Sequence, residues 1–558
     1  ARGSDGARGA GSVDEATIRW VLARAQPDPH NPRQCQRRDC QRQDHQYQRQ
    51  GHQYQRQDHQ RHDEATLSLA GPVELLRPAS GDDAGAALRE PPPESRRPTV
   101  RQKLRKRVYG KERPKKMQNT AVAPPKMPRP KPAPRVKTTA ATKALRSQIR
   151  AIRADCKERG ADPVEQKRLI DETVEGFWET TGSQTPIICR DPQSRRHAFV
   201  TFLWRDRDAR IVLLFANRIT DEKNLRESLM RRIPDTDIWH ITYRMERDWR
   251  ASYCFIPCYD KKSVSDITGV HQVSIRKALD RGLADPRNSI VCKNRADNAL
   301  SVVELPDAPP QPWLAARPQF TCRGNVTSHQ LLDGHTVWVY EPPEAIRSAD
   351  ANNEAVPALI MFDGDMWMRT GRFHETLDNL IADGEIPPLY ALLVETDDIA
   401  ARWGELSEDS GVEDFVADNL LPWARGRWPI TDDPARTIVA GQSLGALTAL
   451  WMAAKRPDSA KNVIAQSASL WRGSLMERLS GEESPLRDFT GRIYFECGKQ
   501  EWVLLPLNRK LARLLKARGA MHRYVEYNGG HDYACWRGGI ADGLRWITKG
   551  WNLPLPHP

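Results

Sequence analysis

The stretch Thr437-Ile-Val-Ala-Gly441-Gln-Ser443-Leu-Gly445-Ala-Leu-Thr-Ala-Leu-Trp-Met-Ala-Ala-Lys455 decides how the second half of the chain folds. A short apolar run of strand character meets a serine set between two glycines. A helix-forming run follows, and Pro457 closes it. A strand that must turn abruptly into a helix needs residues without a Cβ where the backbones approach, and Gly441 and Gly445 supply them. Such a turn exposes the Ser443 hydroxyl at the sheet edge and aims the helix N-terminus at any negative charge developing beside it. The bland alternative is a glycine-rich turn that only packs a helix on a strand.

Working outward, short apolar runs alternate with helix-like stretches. Ala358-Leu-Ile-Met, Tyr390-Ala-Leu-Leu-Val, Arg492-Ile-Tyr-Phe and Tyr524-Val-Glu-Tyr read as strands, with helices over Phe373–Ile381 and Leu507–Arg518. The pattern predicts an α/β fold with a mostly parallel sheet, an α/β-hydrolase catalytic domain over residues 319–553. Upstream, Ala198-Phe-Val-Thr-Phe-Leu-Trp, Arg210-Ile-Val-Leu-Leu-Phe, Asp237-Ile-Trp-His-Ile-Thr-Tyr and Ser252-Tyr-Cys-Phe-Ile predict a small immunoglobulin-like β-sandwich over residues 186–310. The five prolines between Pro306 and Pro318 mark the connector. Apolar residues three to four apart predict a helical lead-in over residues 138–185.

A serine hydroxyl becomes a nucleophile only with a base in reach and a third group that orients the base. His531 lies on a loop just past the strand Tyr524–Tyr527, and Glu501 on a loop past Arg492–Phe495. The order Ser443, Glu501, His531 is that of α/β-hydrolases. Glu496 and Asp532 compete with Glu501 as the orienting acid. Glu496 sits at the strand end and Asp532 adjoins the histidine it would have to orient, so Glu501 is preferred. The expected oxyanion hole combines the N–H of Leu444 with that of Asp365, in the loop Phe362-Asp-Gly-Asp-Met-Trp367.

These residues carry a family resemblance. Phe362-Asp-Gly-Asp-Met-Trp, Arg402-Trp-Gly-Glu-Leu406, Val439-Ala-Gly-Gln-Ser-Leu-Gly, Gln466-Ser-Ala-Ser-Leu-Trp471 and Gly529-Gly-His-Asp-Tyr-Ala-Cys-Trp-Arg-Gly-Gly539 resemble the enterochelin esterases. Val200-Thr-Phe-Leu-Trp-Arg, Trp249-Arg-Ala-Ser-Tyr-Cys-Phe-Ile-Pro and Ala284-Asp-Pro-Arg-Asn are similar to that family's N-terminal domain. The resemblance spans about Phe177 to Trp551. It departs from the family at Leu444-Gly445-Ala446, where a bulkier residue and two glycines are common. It implies hydrolysis of the esters of a cyclic trilactone of dihydroxybenzoyl-serine, with a ferric catecholate siderophore as partner. Ser443 is then the nucleophile, His531 the base and Glu501 the acid. No cofactor or metal site is expected, iron entering only with the substrate. A ferric tris-catecholate is a trianion with flat rings, so its pocket should offer cations and aromatic faces; Arg402, Trp471, Trp536 and Arg537 are the candidates. Related readings are a general carboxylesterase or an acyltransferase of the esterase D and antigen 85 type.

Composition narrows the alternatives. Lys and Arg exceed Asp and Glu by 85 − 72 = 13. The segment Arg101 to Lys137 holds fourteen basic residues against the single acid Glu112, so the rest of the chain is neutral. A proline-rich basic run of this kind reads as a solvated linker rather than a nucleic-acid surface. A polyanion-binding protein acting through residues 101–137 is the alternative from another class. Residues 33–63 repeat a polar heptad without an apolar seam, and residues 1–137 together read as a disordered tail. No apolar run is long enough to span a membrane and no leader pattern opens the chain, so a cytoplasmic protein is expected. The ten cysteines lack the paired spacing of a zinc site or a disulfide scaffold.

Overall fold

The computed structural model describes residues 129–551, apart from 132, 138, 318, 320–321, 344–354 and 397–398. The heptad repeat and most of the basic run lie outside the described residues. The end of that run does not match the expected linker. Arg135–Val136 (β1) pairs antiparallel with Ile238–Glu246 (β6). Arg129 donates to the main-chain oxygens of Arg218, Ile219 and Thr220 and pairs with Asp221 at 2.9 Å. Ala133 is buried in the core of this region. Carbonyls and a carboxylate that would otherwise face water thus fix the last basic residues, which the sequence could not show.

Two helices follow, Ala140–Arg159 (α1) and Pro163–Thr181 (α2). Asp162 caps α2 by accepting from the N–H groups of Val164 and Glu165, with Pro163 at the first helical position. Leu145, Ile149, Ile170, Val174 and Trp178 form their shared buried face, where Leu203 and Ile238 also pack.

The β-rich segment forms two antiparallel sheets. One contains Ile187–Asp191 (β2), Ser194–Arg205 (β3), Arg231–Arg232 (β5) and β6 with β1. The other contains Ile211–Ala216 (β4), Arg250–Cys258 (β7), Val291–Lys293 (β8) and Ala299–Glu304 (β9). Phe202 of β3 meets Tyr253 of β7 edge-on at 4.9 Å, and Trp204 meets Phe255 at 5.0 Å, so the two sheets share one apolar interior.

The second half is built on one eight-stranded sheet. Its strands are Asn325–Gln330 (β10), Thr336–Glu341 (β11), Ala358–Phe362 (β12), Tyr390–Val394 (β13), Thr437–Gln442 (β14), Asn462–Gln466 (β15), Ile493–Gly498 (β16) and His522–Tyr527 (β17). Their spatial order is β10-β11-β13-β12-β14-β15-β16-β17. The pairs β10–β11 and β11–β13 are antiparallel and all others parallel. Every residue of β12, β13, β14, β15 and β16 is buried, as strands covered by helices on both faces require, whereas the edge strand β17 is half-exposed. Phe373–Ala382 (α3) and Tyr533–Ile547 (α4) cover one face, while Leu444–Lys455 (α5) and Leu505–Ala517 (α6) cover the other. Among the described residues no helix is long and apolar enough to cross a membrane. The eight described cysteines are all free thiols.

Candidate active site

The parallel strands all run the same way, so the residues following β12, β14, β15, β16 and β17 emerge at one edge of the sheet. Those residues are Asp363, Ser443, Ser467, the loop of Glu501 and the loop of His531.

Ser443 sits at φ 59° and ψ −111°, a strained conformation for a residue with a side chain. A Cβ on Gly441 would lie 2.3 Å from the carbonyl carbon and oxygen of Gly445, so the crossing of strand and helix requires glycine there. The turn is held by the Ser443 N–H on Gln466 O at 2.9 Å and by Ser469 N–H on Ser443 O at 3.1 Å. Ser443 Oγ is 3.3 Å from Ser469 Oγ; among the described residues it makes no hydrogen bond to His531. Such bonds commonly tighten only once substrate is bound.

His531 Nδ1 lies 2.6 Å from Glu501 Oε2, which fixes the proton on Nδ1 and leaves Nε2 as the basic nitrogen. The imidazole packs edge-on against Trp536 at 4.6 Å. Glu501 is buried, and its other oxygen accepts from Gly498 N–H at 2.9 Å and Ser467 Oγ at 2.5 Å. Burial alone would raise its carboxyl, but His531, Arg218 and Ser467 together hold it below its ordinary value. The competing acids are engaged elsewhere. Glu496 accepts from Gln466 Nε2 at 2.8 Å, and burial pushes its carboxyl up to about 8. Asp532 caps α4 through Ala534 N–H and accepts from Ser252 N–H at 2.7 Å.

After β12, Asp363 O takes up the N–H groups of Met366 and Trp367 at the start of a wide helical turn over Asp365–Thr370. Trp367 Nε1 reaches Gln442 Oε1 at 2.7 Å, which brings this turn beside the serine. Neither the Leu444 nor the Asp365 N–H has a hydrogen-bond partner among the described residues.

Two family models match the chain: "Enterochelin esterase, N-terminal" over residues 199–314 and "Putative esterase" over residues 328–547. The iron(III) enterobactin esterase of Dickeya dadantii is 30% identical over 415 residues, 67% of this chain and 93% of the relative. The chain belongs to the enterochelin esterase family. The iron(III) enterobactin esterase of Escherichia coli K12, another family member, is 30% identical over 62% of this chain and 90% of its own length. Among solved structures, the enterobactin esterase of Shigella flexneri in the presence of enterobactin aligns with TM-score 0.56 at 28% identity, covering 67% of this chain and 98% of that one. The ferric enterobactin esterase of Salmonella typhimurium aligns with TM-score 0.58 at 29% identity, over 67% and 98% of the two chains.

In this enterochelin esterase family member, three of the four expected substrate contacts are committed to the protein itself. Arg402 grips the buried Asp363 carboxylate through two bonds of 2.6 and 2.7 Å and donates to Gln442 O at 3.3 Å. Arg295, from the β-rich region, reaches the same carboxylate at 2.8 Å. Burial would raise Asp363, yet Arg402 and then Arg295 hold it below the usual carboxylate range. Trp536 is buried, donates to Ser467 Oγ at 3.0 Å and packs edge-on against His531. Arg537 donates to Val291 O at 2.7 Å and Gln311 Oε1 at 3.3 Å, tying α4 to β8. Trp471 is half-buried and faces Trp403. The sequence reading missed Ser467, Ser469, Trp403 and Arg295. The Gln466-Ser-Ala-Ser469 run could have flagged the two serines; the other two depend on distant neighbours. Among the described residues no group of three or more His, Cys, Asp or Glu is placed to hold a metal ion.

Proposed function

We propose that this chain is a serine esterase that hydrolyses the ester bonds of a catecholate siderophore, an enterochelin-like trilactone carried as its ferric complex. Ser443 is the nucleophile, His531 the general base and Glu501 the orienting acid. The observation that carries the reading is the 2.6 Å contact of His531 Nδ1 with buried Glu501, on the same sheet edge as a strained serine between glycines. The names of the curated relatives support the substrate class.

Ser443 Oγ attacks a seryl ester carbonyl while His531 Nε2 takes its proton. The Leu444 and Asp365 amides stabilise the oxyanion, and His531 then protonates the departing serine alkoxide. Water, deprotonated by His531, cleaves the acyl-enzyme and regenerates Ser443. Iron is cargo of the substrate and takes no part in these steps. Residues 319–553 form the α/β-hydrolase catalytic domain in this reading. Residues 186–310 form an immunoglobulin-like sandwich, residues 138–185 a helical lead-in, and the protein acts in the cytoplasm, where an imported ferric siderophore would arrive.

The test incubates the full chain and its Ser443→Ala variant with ferric and iron-free enterochelin, reading products by mass spectrometry. Ser443-dependent release of dihydroxybenzoyl-serine or its linear oligomers is expected. Cleavage of a simple aryl ester without cleavage of either siderophore form would overturn the substrate and keep the nucleophile.

A further inference from the structure

Two segments, one touching the nucleophile and one touching the residue before it, each carry an indole. Arg402 contacts Gln442 O, and the next residue, Trp403, is 42% exposed. Ser469 contacts Ser443 through both its N–H and its hydroxyl, and Trp471 lies two residues further on. The indole centroids are 6.4 Å apart with planes inclined at 51°. Arg472 completes the group: its guanidinium carbon is 4.9 Å from the Trp403 ring centroid, and Nη2 donates to Trp403 O at 2.9 Å. No carboxylate pairs with Arg472 among the described residues, in contrast to Arg402 and Arg295, which both serve Asp363.

We infer that Trp403, Trp471 and Arg472 form the binding site for one catecholate arm of the substrate. The inference rests on the siderophore reading above and specifies which residues recognise it. Two neighbouring indoles offer flat faces to an aromatic ring, and the Arg472 guanidinium, which has no carboxylate partner among the described residues, adds selection for negative charge. Together they fit a flat aromatic ring bearing delocalised negative charge. An aliphatic acyl chain would not need the arginine, and a phosphate would not need the indoles. Inclined rings leave room for a third to lie edge-on or offset against them. Trp471 lies two residues beyond Ser469, which touches Ser443, and Trp403 follows Arg402, which touches the adjoining Gln442, so an arm held there keeps its seryl ester near the nucleophile.

The test measures binding of 2,3-dihydroxybenzoyl-serine by calorimetry to full-length Ser443→Ala protein, alone and combined with Arg472→Gln or Trp403→Ala. Each added change is expected to weaken binding about tenfold or more. Arg472→Gln should also flatten the salt dependence of binding. Should either change unfold the loop, Arg472→Lys and Trp403→Phe carry the comparison, with binding retained as the expected result. Equal affinity in all proteins would overturn the site. Absence of siderophore hydrolysis by wild type, with binding still dependent on Arg472 and Trp403, would sink the esterase substrate while leaving the catecholate site standing.

Discussion

Asn217 Nδ2 donates to the main-chain oxygen of His531 at 3.1 Å, so a residue just past β4 holds the loop that carries the proposed base. The neighbouring Arg218, at φ 62°, lies against Gly530 so closely that a Cβ there would come within 2.1 Å of Arg218 Cγ. Its guanidinium sits 5.1 Å from the ring of Trp502, which follows Glu501. The β-rich region therefore braces both loops of the His–Glu pair from behind. Asn217→Ala should lower kcat roughly 5- to 10-fold, the effect of losing one neutral hydrogen bond of about 1 kcal/mol at a position where orientation matters. KM and the melting temperature should change little. Steady-state kinetics on p-nitrophenyl acetate, together with a thermal melt, checks this; an unchanged kcat would remove Asn217 from the positioning machinery.

The serine turn makes a sharper prediction because its two glycines differ. At Gly441 an added methyl meets Gly445 backbone at 2.3 Å, and no side-chain rearrangement can relieve a backbone clash. At Gly445 the nearest atom is Phe362 Cβ at 3.4 Å, an ordinary contact. Gly441→Ala should therefore be insoluble or inactive, while Gly445→Ala should keep activity within about threefold and melt within a few degrees of wild type. Expression yield, melting temperature and aryl-ester turnover of the two variants decide it. Similar behaviour in both would mean that the crossing of strand and helix is looser than it stands here.

How much of this was open to the sequence follows from the range of each interaction. The serine turn is written in neighbours one and two residues away, and the strands around it are unbroken apolar runs, so both could be read directly. Glu501 could be preferred over Glu496 because loop and strand-end positions are also local properties. Arg402 and Arg537 could not be understood that way. Their partners, Asp363 and Val291, lie 39 and 246 positions away, and only the folded chain shows the charges already committed. The same holds for Trp536: its residue type suits a ligand face, and only the folded chain shows that its place in α4 packs it against His531. The end of the basic run looked like a linker because proline and arginine dominate it, yet Arg129 finds three carbonyls about 90 positions later.

The Asp363 carboxylate, fully buried between Arg402 and Arg295, links the β-rich region to the turn that carries the Asp365 amide. Arg295→Met leaves Asp363 with a single partner and should cost roughly 2 to 3 kcal/mol. That is less than for a wholly buried pair, because the Arg295 side chain is 26% exposed. Urea unfolding of the full chain measures the loss. The same variant should turn over aryl esters more slowly, since the turn bearing Asp365 is no longer held from both sides. A drop in stability with unaltered kcat would separate the brace from the oxyanion site.

Glu496 provides a test that depends on pH. It is buried in a chain of hydrogen bonds running Trp367 to Gln442, Gln442 to Gln466 and Gln466 to Glu496, and its carboxyl is pushed up to about 8 by burial. A folded-state value above the unfolded one means that the acid binds its proton more tightly when folded. Its stabilising contribution is complete below the ordinary carboxylate range, declines as pH rises from about 4 to 5, and is lost once pH passes about 8. Glutamine can keep the bond from Gln466 without ionising. Glu496→Gln should therefore raise the melting temperature by several degrees more at pH 9 than at pH 5, and leave kcat within about threefold. Glu501→Gln should instead lower kcat about 10²- to 10⁴-fold, because its charge holds the imidazole that accepts the proton. Melting curves across this pH range and aryl-ester kinetics on both variants check the pair. If Glu496→Gln inactivates and Glu501→Gln does not, the orienting acid has been assigned to the wrong carboxylate.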